Sequence, residues 1–285
     1  MSAALPLGEY ALGIEGLALL RTAFNSNSTS RAARTTEISD LLDELRSGSG
    51  GALSTPVGTE FNLQAGYQHW SASYDGAGRL FPIEEPSMRA LIDEVPPGSV
   101  LDAACGTGRY SMYIAERGHR VTGVDQSEDM LKIARVKLPQ ADFHLADLSA
   151  LPVSDASVDA VVCGLALVHL PDLAPAMHEF ARVLRPGGRL IISDVHAFLV
   201  LTGWQAQFAT TGNEPGFMRM NCHLPSDYVA AASSAGLRLR SLAEPRLTAG
   251  TVRTPAAQVV PEANRIAYVG LPGVSIWDFE LPHAR

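Results

Sequence analysis

The chain has 285 residues, 46% hydrophobic and 18% charged, enough apolar content for one substantial core plus an accessory segment and too much for a disordered or fibrous protein. A formal net charge of −8 with scattered basic residues argues against nucleic acid as a partner. Cys105, Cys163 and Cys222 show no C-x-x-C spacing, so neither a disulfide framework nor a zinc site is expected and a cytoplasmic location fits.

From the N-terminus, Tyr10, Ile14, Leu17, Leu20 and Phe24 recur at helical spacing, and after a polar break at Asn25 to Ser30 so do Ile38, Leu41, Leu42 and Leu45. Glu9 and Glu15 interrupt the first pattern and no basic residue precedes Arg21, which is wrong for a secretory signal. No run reaches the roughly 18 apolar residues that cross a bilayer, so no membrane partner is expected. Ser47-Gly48-Ser49-Gly50-Gly51 ends the second helix. Residues 1–48 therefore read as a helical arm and 49–60 as a linker. Two short amphipathic helices must dock on something: the chain's own core, or a second subunit, which the Gly/Ser linker permits and which makes the chain a homo-oligomer through this arm.

A core over 61–285 follows. Tyr67 to Asp75 is dense in aromatics with polar tips. Helices are predicted at Glu85 to Glu94, Arg109 to Arg117, Glu128 to Lys137 with Ser127 as N-cap, and Ala174 to Leu184. Strands are predicted at Ser99 to Ala104, His119 to Val124, Ala141 to Leu145, Val158 to Cys163 and, after the Pro186-Gly187-Gly188 turn, Arg189 to Ser193. This alternation specifies a doubly wound parallel α/β sheet. The irregular stretch 195–224 carries Trp204, Phe208 and Phe217, and a long connection at the carboxyl end of a strand is where such sheets build a substrate site. Beyond it lie a helix from Ser226 to Ala235, a strand from Leu237 to Leu242, a helix from Pro255 to Tyr268 and a strand from Val274 to Glu280.

The first strand runs into Asp102-Ala103-Ala104-Cys105-Gly106-Thr107-Gly108, and the second ends in Asp125, seventeen positions beyond Gly108. Glycines let backbone approach a ligand closely at a strand-to-helix turn, and an acid ending the next strand can accept ribose hydroxyls. A dinucleotide loop would continue to a third glycine; here Arg109-Tyr110-Ser111 follow, which disfavours a nicotinamide-dependent oxidoreductase. The segment resembles the first motif of class I S-adenosylmethionine-dependent methyltransferases. Ala146-Asp147 after the third strand and Phe180 to Gly188 before the fifth extend the resemblance, which covers about residues 61 to 245; the chain is similar to the ubiquinone/menaquinone-type and actinobacterial natural-product enzymes. Many members have glycine where this chain has Ala104.

The resemblance implies a seven-stranded, mostly parallel Rossmann-like sheet with an antiparallel final strand, and S-adenosylmethionine as cofactor. Asp102 would organise the glycine loop or reach the amino acid end of the cofactor. Ala104, Cys105, Gly106 and Gly108 would line the methionine, and Asp125 would hold the ribose. Gln126 and Met130 would pack near adenine, with Asp147 and Leu148 beside it, while Leu165 would sit near the sulfonium. Segment 61–84 would be a lid, making Tyr67, His69, Trp70 and Tyr74 substrate-binding candidates together with Trp204, Phe208 and Phe217. Cys163-Gly164-Leu165-Ala166 lacks the acid or Asn, two prolines and aromatic of enzymes that methylate adenine or glutamine amines. His169 and His196 fall where substrate should lie and are candidates for a base or an orienting group. No metal is needed, because methyl transfer from a sulfonium asks mainly for alignment, water exclusion and a base. The expected partner is a small, largely apolar natural-product or quinone-like acceptor, with C-methylation of a prenylated, teleocidin-type indole one form beside O- and N-methylation. The competing reading is a methyltransferase fold that binds S-adenosylmethionine but acts as a cyclase or binding protein.

Overall fold

The computed structural model describes residues 5–23, 28–48, 51–76 and 80–283. Phe24 of the predicted apolar stripe, most of the polar break, Ser49-Gly50 of the linker and 77–79 of the proposed lid lie outside the described residues. In chain order the regular elements begin with α1 (Leu7–Thr22), α2 (Ser28–Ser47), β1 (Thr59–Glu60), α3 (Leu63–Trp70), α4 (Phe81–Asp93), β2 (Ser99–Ala103) and α5 (Arg109–Glu116). They continue with β3 (Arg120–Asp125), α6 (Glu128–Lys137), β4 (Asp142–Leu145), β5 (Val158–Gly164), α7 (Ala174–Val183), β6 (Leu184–Val195) and α8 (Ala197–Leu201). Last come β7 (Ala206–Ala209), β8 (Pro215–Met218), α9 (Pro225–Ser234), β9 (Arg238–Ala243), α10 (Pro261–Tyr268) and β10 (Val274–Glu280). No described helix is long and apolar enough to cross a membrane.

The chain divides into two compact units, each discontinuous in sequence. The larger takes Phe61–Ala206, Met218–Pro245 and Pro272–Arg285. It holds a seven-stranded sheet in the order β4-β3-β2-β5-β6-β10-β9. Strands β4 to β6 pair in parallel, and β10 runs antiparallel to both its neighbours. This is the doubly wound α/β architecture with an antiparallel final strand. Because consecutive residues of a strand face opposite sides, Leu101, Val161 and Leu190 enter a core with Phe180 of α7 and Tyr228 of α9. Val100, Val162 and Ile191 enter a second core with Met88 of α4, Ile114 of α5 and Leu131 of α6. Burial on both faces explains the apolar runs at the centres of β2, β5 and β6. The strand order reverses between β2 and β5, so their carboxyl ends diverge and leave a crevice.

Prolines account for most boundary differences. Helix α4 begins at Phe81, not Glu85, with Pro82 in its first turn, where the missing N–H leaves nothing unsatisfied. The helix predicted over Pro255 to Tyr268 is a 3-10 turn, Pro255–Gln258, and then α10, because Pro261 cannot continue the first segment but can start the second. The Pro186-Gly187-Gly188 turn lies inside β6 as an irregularity in its register with β5, and Gly187 donates its N–H to the Leu281 carbonyl at 2.6 Å.

The smaller unit joins Met1–Glu60 to Gln207–Phe217 and Arg246–Leu271. Helix α1 packs on α2 and α10. Its buried face is Tyr10, Ala11, Ile14, Glu15 and Ala18, whose small residues allow close approach, while Leu20 of the predicted stripe is 72% exposed. Arg21 donates to the carbonyls of Ile266 and Ala267, both at 2.9 Å, capping the last turn of α10. Strand β1 pairs in parallel with β8. Between α1 and α2 the fully buried Glu15 contacts Arg34 at 2.8 Å, and Arg34 also grips Glu37. Burial raises the Glu15 pKa against the pull of Arg34.

Because burial raises the Glu15 pKa to about 8, removing Arg34 leaves a protonated, unpaired buried carboxyl, at a cost of about 1–3 kcal/mol. Arg34→Met is therefore expected to lower stability by that amount in chemical denaturation. The double variant Glu15→Leu/Arg34→Met should recover most of the loss; equal stability of the single variant and the unaltered chain would show that the pair contributes nothing.

Candidate functional site

The turn after β2 is built by backbone conformations that side chains resist. Ala104, Gly106 and Gly108 have φ of 55°, 54° and 81°, and a non-glycine residue in this region costs roughly 1–2 kcal/mol. That cost is the physical reason why glycine suits the Ala104 position. Gly108 is the N-cap of α5, and a Cβ there would lie 3.3 Å from Ala134 of α6. A Cβ on Gly106 would meet no protein atom within 4 Å, so this backbone borders open space.

Asp125 fixes the turn. Its Oδ2 accepts the Gly106 N–H and its Oδ1 the Ser127 N–H, each at 2.8 Å. Burial raises its pKa, opposed by the amides of Ser127, Gly106 and Gln126. The second lone pair on each oxygen stays available to hydroxyl donors. Asp147 is held below the usual carboxylate range by the Ser149 side chain and N–H, at 2.6 and 2.8 Å on Oδ1. It caps a turn and lines the crevice at once.

The crevice is a cleft at the carboxyl ends of β2 and β5. It brings together Ala104, Gly106, Asp125, Gln126, Met130, Asp147, Leu148 and Leu165 of the cofactor candidates, Tyr67 and Tyr74 of the substrate candidates, and His169. Leu165, like Ala104, has a φ of 55°, so the strands on both sides of the strand-order reversal end in a strained residue facing the same space. Sequence reasoning missed Ala146, Gly164, Ala166 and Leu170, which also line it. Of these Gly164 is the glycine that closes an apolar strand, and a Cβ there would meet the Tyr110 ring at 2.7 Å.

His169 sits on a 3-10 turn after β5, and its Nδ1 lies 3.4 Å from the Arg219 carbonyl. A carbonyl only accepts, so the hydrogen is on Nδ1 and Nε2 keeps its lone pair, with no hydrogen-bond partner among the described residues. Burial lowers the His169 pKa to about 4, so the ring is neutral at pH 7. The Tyr67 ring meets it edge-on with centroids 5.9 Å apart. Burial, reinforced by Tyr74, Asp125 and Asp194, raises the Tyr67 phenol well above its ordinary range, and burial pushes Tyr74 up to about 12.

Other predicted residues lie elsewhere. Asp102 is beneath the turn, where it accepts the Ser111 hydroxyl at 2.6 Å, and burial pushes its pKa up to about 7. The Cys105 side chain is buried on the side of Gly123. Trp70 stacks behind Tyr67, and His69 lies against Phe61. Trp204 is buried, its backbone N–H on the Leu199 carbonyl. Phe208 and Phe217 belong to the smaller unit. His196 does not line the cleft: its Nδ1 accepts the Phe198 N–H at 3.1 Å to cap α8, and its Nε2 meets Glu244 Oε1 at 3.0 Å. Both ring nitrogens are engaged, which suits a capping group and leaves none for a proton acceptor. Sequence reasoning also gave no sign of Glu84, which is fully buried with Ser193 on Oε1 and the Arg109 guanidinium 2.9 Å from Oε2. Arg109 lies over the rings of Phe81 and Tyr110.

The family described as "Methyltransferase domain" matches residues 101–192. Methyltransferase GfsG of Streptomyces halstedii is 30% identical over 232 residues, 77% of this chain and 79% of that protein. A demethylmenaquinone methyltransferase of Listeria welshimeri is 40% identical over 119 residues, 39% of this chain, and the match spans about half (50%) of that relative. Among solved structures, an S-adenosylmethionine dependent methyltransferase from Mesorhizobium loti shares the fold, with a TM-score of 0.55 at 21% identity over 71% of this chain and 100% of that one.

If the Asp125 carboxylate accepts ribose hydroxyls, its removal forfeits hydrogen bonds worth about 1.5–3 kcal/mol each. Asp125→Ala should then weaken S-adenosylhomocysteine binding at least ~10-fold in titration calorimetry. An unchanged dissociation constant in a folded variant would place the ribose elsewhere.

Proposed function

The chain belongs to the S-adenosylmethionine-dependent methyltransferases, and from that premise we propose that it methylates a small, largely apolar natural-product or quinone-like acceptor, with His169 taking the acceptor's proton. The observation that carries this reading is the open Nε2 of a neutral His169 in the cleft that also holds Asp125 and Asp147. Named relatives point the same way, since one acts on demethylmenaquinone.

The residues fit the cofactor in kind: carboxylates suited to hydroxyl and amino donors, and at Gly106 a backbone that faces open space. Asp125 would hold the ribose, Gln126 and Met130 would flank adenine with Asp147 and Leu148, and Ala104 and Gly106 would border the methionine. Bound S-adenosylmethionine supplies an electrophilic methyl and a good thioether leaving group. Leu165 and Leu170, with the Tyr67 and Tyr74 rings, form a wall that excludes water and favours an apolar acceptor. His169 Nε2 accepts the proton of an acceptor O–H or N–H, and Nδ1–H···O=C to Arg219 holds the ring and steadies the imidazolium that forms. A proton on the acceptor is what gives this base work, so the geometry favours O- or N-methylation; C-methylation of a prenylated indole would use the same walls with His169 removing the proton from carbon. Production of S-adenosylhomocysteine with acceptor present separates all of these from a cyclase or binding role.

Three free cysteines support a cytoplasmic location. For residues 1–48, the covering of α1 by α10 of the same chain favours an intramolecular role, and self-association would have to use surface left over, such as Leu20.

His169→Gln is expected to lower kcat about 10²-fold or more while changing S-adenosylhomocysteine affinity less than threefold; equal turnover in the variant would show that alignment alone carries the reaction. Because burial lowers the His169 pKa to about 4, the base is already deprotonated across pH 5.5–8. Its protonation should give no acid limb near pH 6.5 in kcat/KM, and a limb there that vanishes in the Gln variant would contradict the assignment.

A further inference from the structure

Segment 61–76 carries two cleft residues, Tyr67 and Tyr74, on α3 and the 3-10 turn Ser71–Gly76 that continues it. At the end of that turn stands Asp75. Its Oδ1 accepts the Thr107 hydroxyl at 2.6 Å, and its Oδ2 lies 2.5 Å from Lys137 Nζ. Thr107 is fully buried between Gly106 and Gly108, and Lys137 closes α6, the helix that starts beside Asp125 and carries Met130. One carboxylate therefore ties the aromatic segment to the glycine turn and to the adjoining helix.

Resting on the methyltransferase reading of the cleft, we propose that Asp75 is a positioning residue that sets how long the nucleoside cofactor is retained. Asp75 does not line the cleft itself and acts through its neighbours. Tyr74 precedes it, tilts against Phe81 at 5.8 Å and meets Trp70 edge-on at 5.1 Å. Trp70 stacks on Tyr67, which meets His169. With the carboxylate anchored on Thr107, both tyrosines are held against the side of the cleft formed by the glycine turn and His169. Without it, the buried Thr107 hydroxyl loses its acceptor and the turn 71–76 loses its attachment at both ends of the bridge. The ion pair to the partly exposed Lys137 contributes the smaller share, and the Thr107 hydrogen bond the larger, because its donor is buried.

The test is stopped-flow dissociation of S-adenosylhomocysteine from the full chain, followed by tryptophan fluorescence, for which Trp70 is placed beside both tyrosines. Asp75→Ala is expected to speed dissociation about 10-fold, corresponding to loss of a charge-assisted hydrogen bond, with Thr107→Val similar and Lys137→Met less than threefold. Asp75→Asn, which can still accept from Thr107, should restore most of the retention. The double variant Asp75→Ala/Thr107→Val should be no faster than either single one, since both remove the same bond. Dissociation within twofold of the unaltered chain in both Asp75→Ala and Thr107→Val, at unchanged circular dichroism, would overturn the proposal while leaving the methyltransferase reading standing. Absence of S-adenosylhomocysteine binding by the unaltered chain would overturn both. A lower melting temperature with unchanged dissociation would reduce Asp75 to a merely structural tie and also overturn it.

Discussion

The Asp125 carboxylate, clamped by the amides of Gly106 and Ser127, is the constraint on which the cleft depends. It ends β3, and its two oxygens reach the turn leaving β2 and the start of α6. The turn after β2, the end of β3 and the start of α6 are thereby given one geometry. The backbone of that turn occupies a region unfavourable to Ala104, so the turn persists because these bonds and the packing of Gly108 on Ala134 over-determine it. The conformation in turn leaves Gly106 facing open space, where a ligand can come close to main chain.

Buried carboxylates surround the same region. Asp102 and Asp194, the latter accepting the Tyr228 hydroxyl at 2.7 Å, are both pushed up to about 7 by burial, and Glu84 is neutralised by Arg109. Among the described residues, the charged groups that line the cleft itself are Asp125 and Asp147. A cationic ligand such as a sulfonium is favoured in such a field. The neutral His169 and the high-pKa tyrosines are the uncharged titratable groups of that lining among the described residues.

What was legible in the sequence was what is local. The central strands read correctly because burial on both faces forces apolar runs, and the glycine turn was legible because backbone geometry restricts residue type there. Tyr67 and Tyr74 could be assigned to the cleft because a segment preceding the first core strand lies over its carboxyl end in the resembling family. The rest depended on contacts between distant segments. Nothing in Tyr10 to Ala18 announces that α10, some 250 residues on, covers it, or that Phe208 and Phe217 fold with the arm. His169 and His196 look alike in sequence, each just past a strand, yet one keeps an open nitrogen and the other spends both on Phe198 and Glu244. Glu84 sits among prolines and a second acid, with no pattern to mark the one that is buried.

The central claim is that the cleft between β2 and β5 is the cofactor site and that His169 faces the reacting end. A crystal structure of the chain with S-adenosylhomocysteine tests it most directly. Ribose hydroxyls are expected on Asp125, adenine between Met130 and Leu148 with its amino group toward Asp147, and the thioether on the Leu165 and His169 side. A nucleoside seated outside this cleft, or bound in it with Asp125 untouched and the thioether turned away from His169, would contradict it.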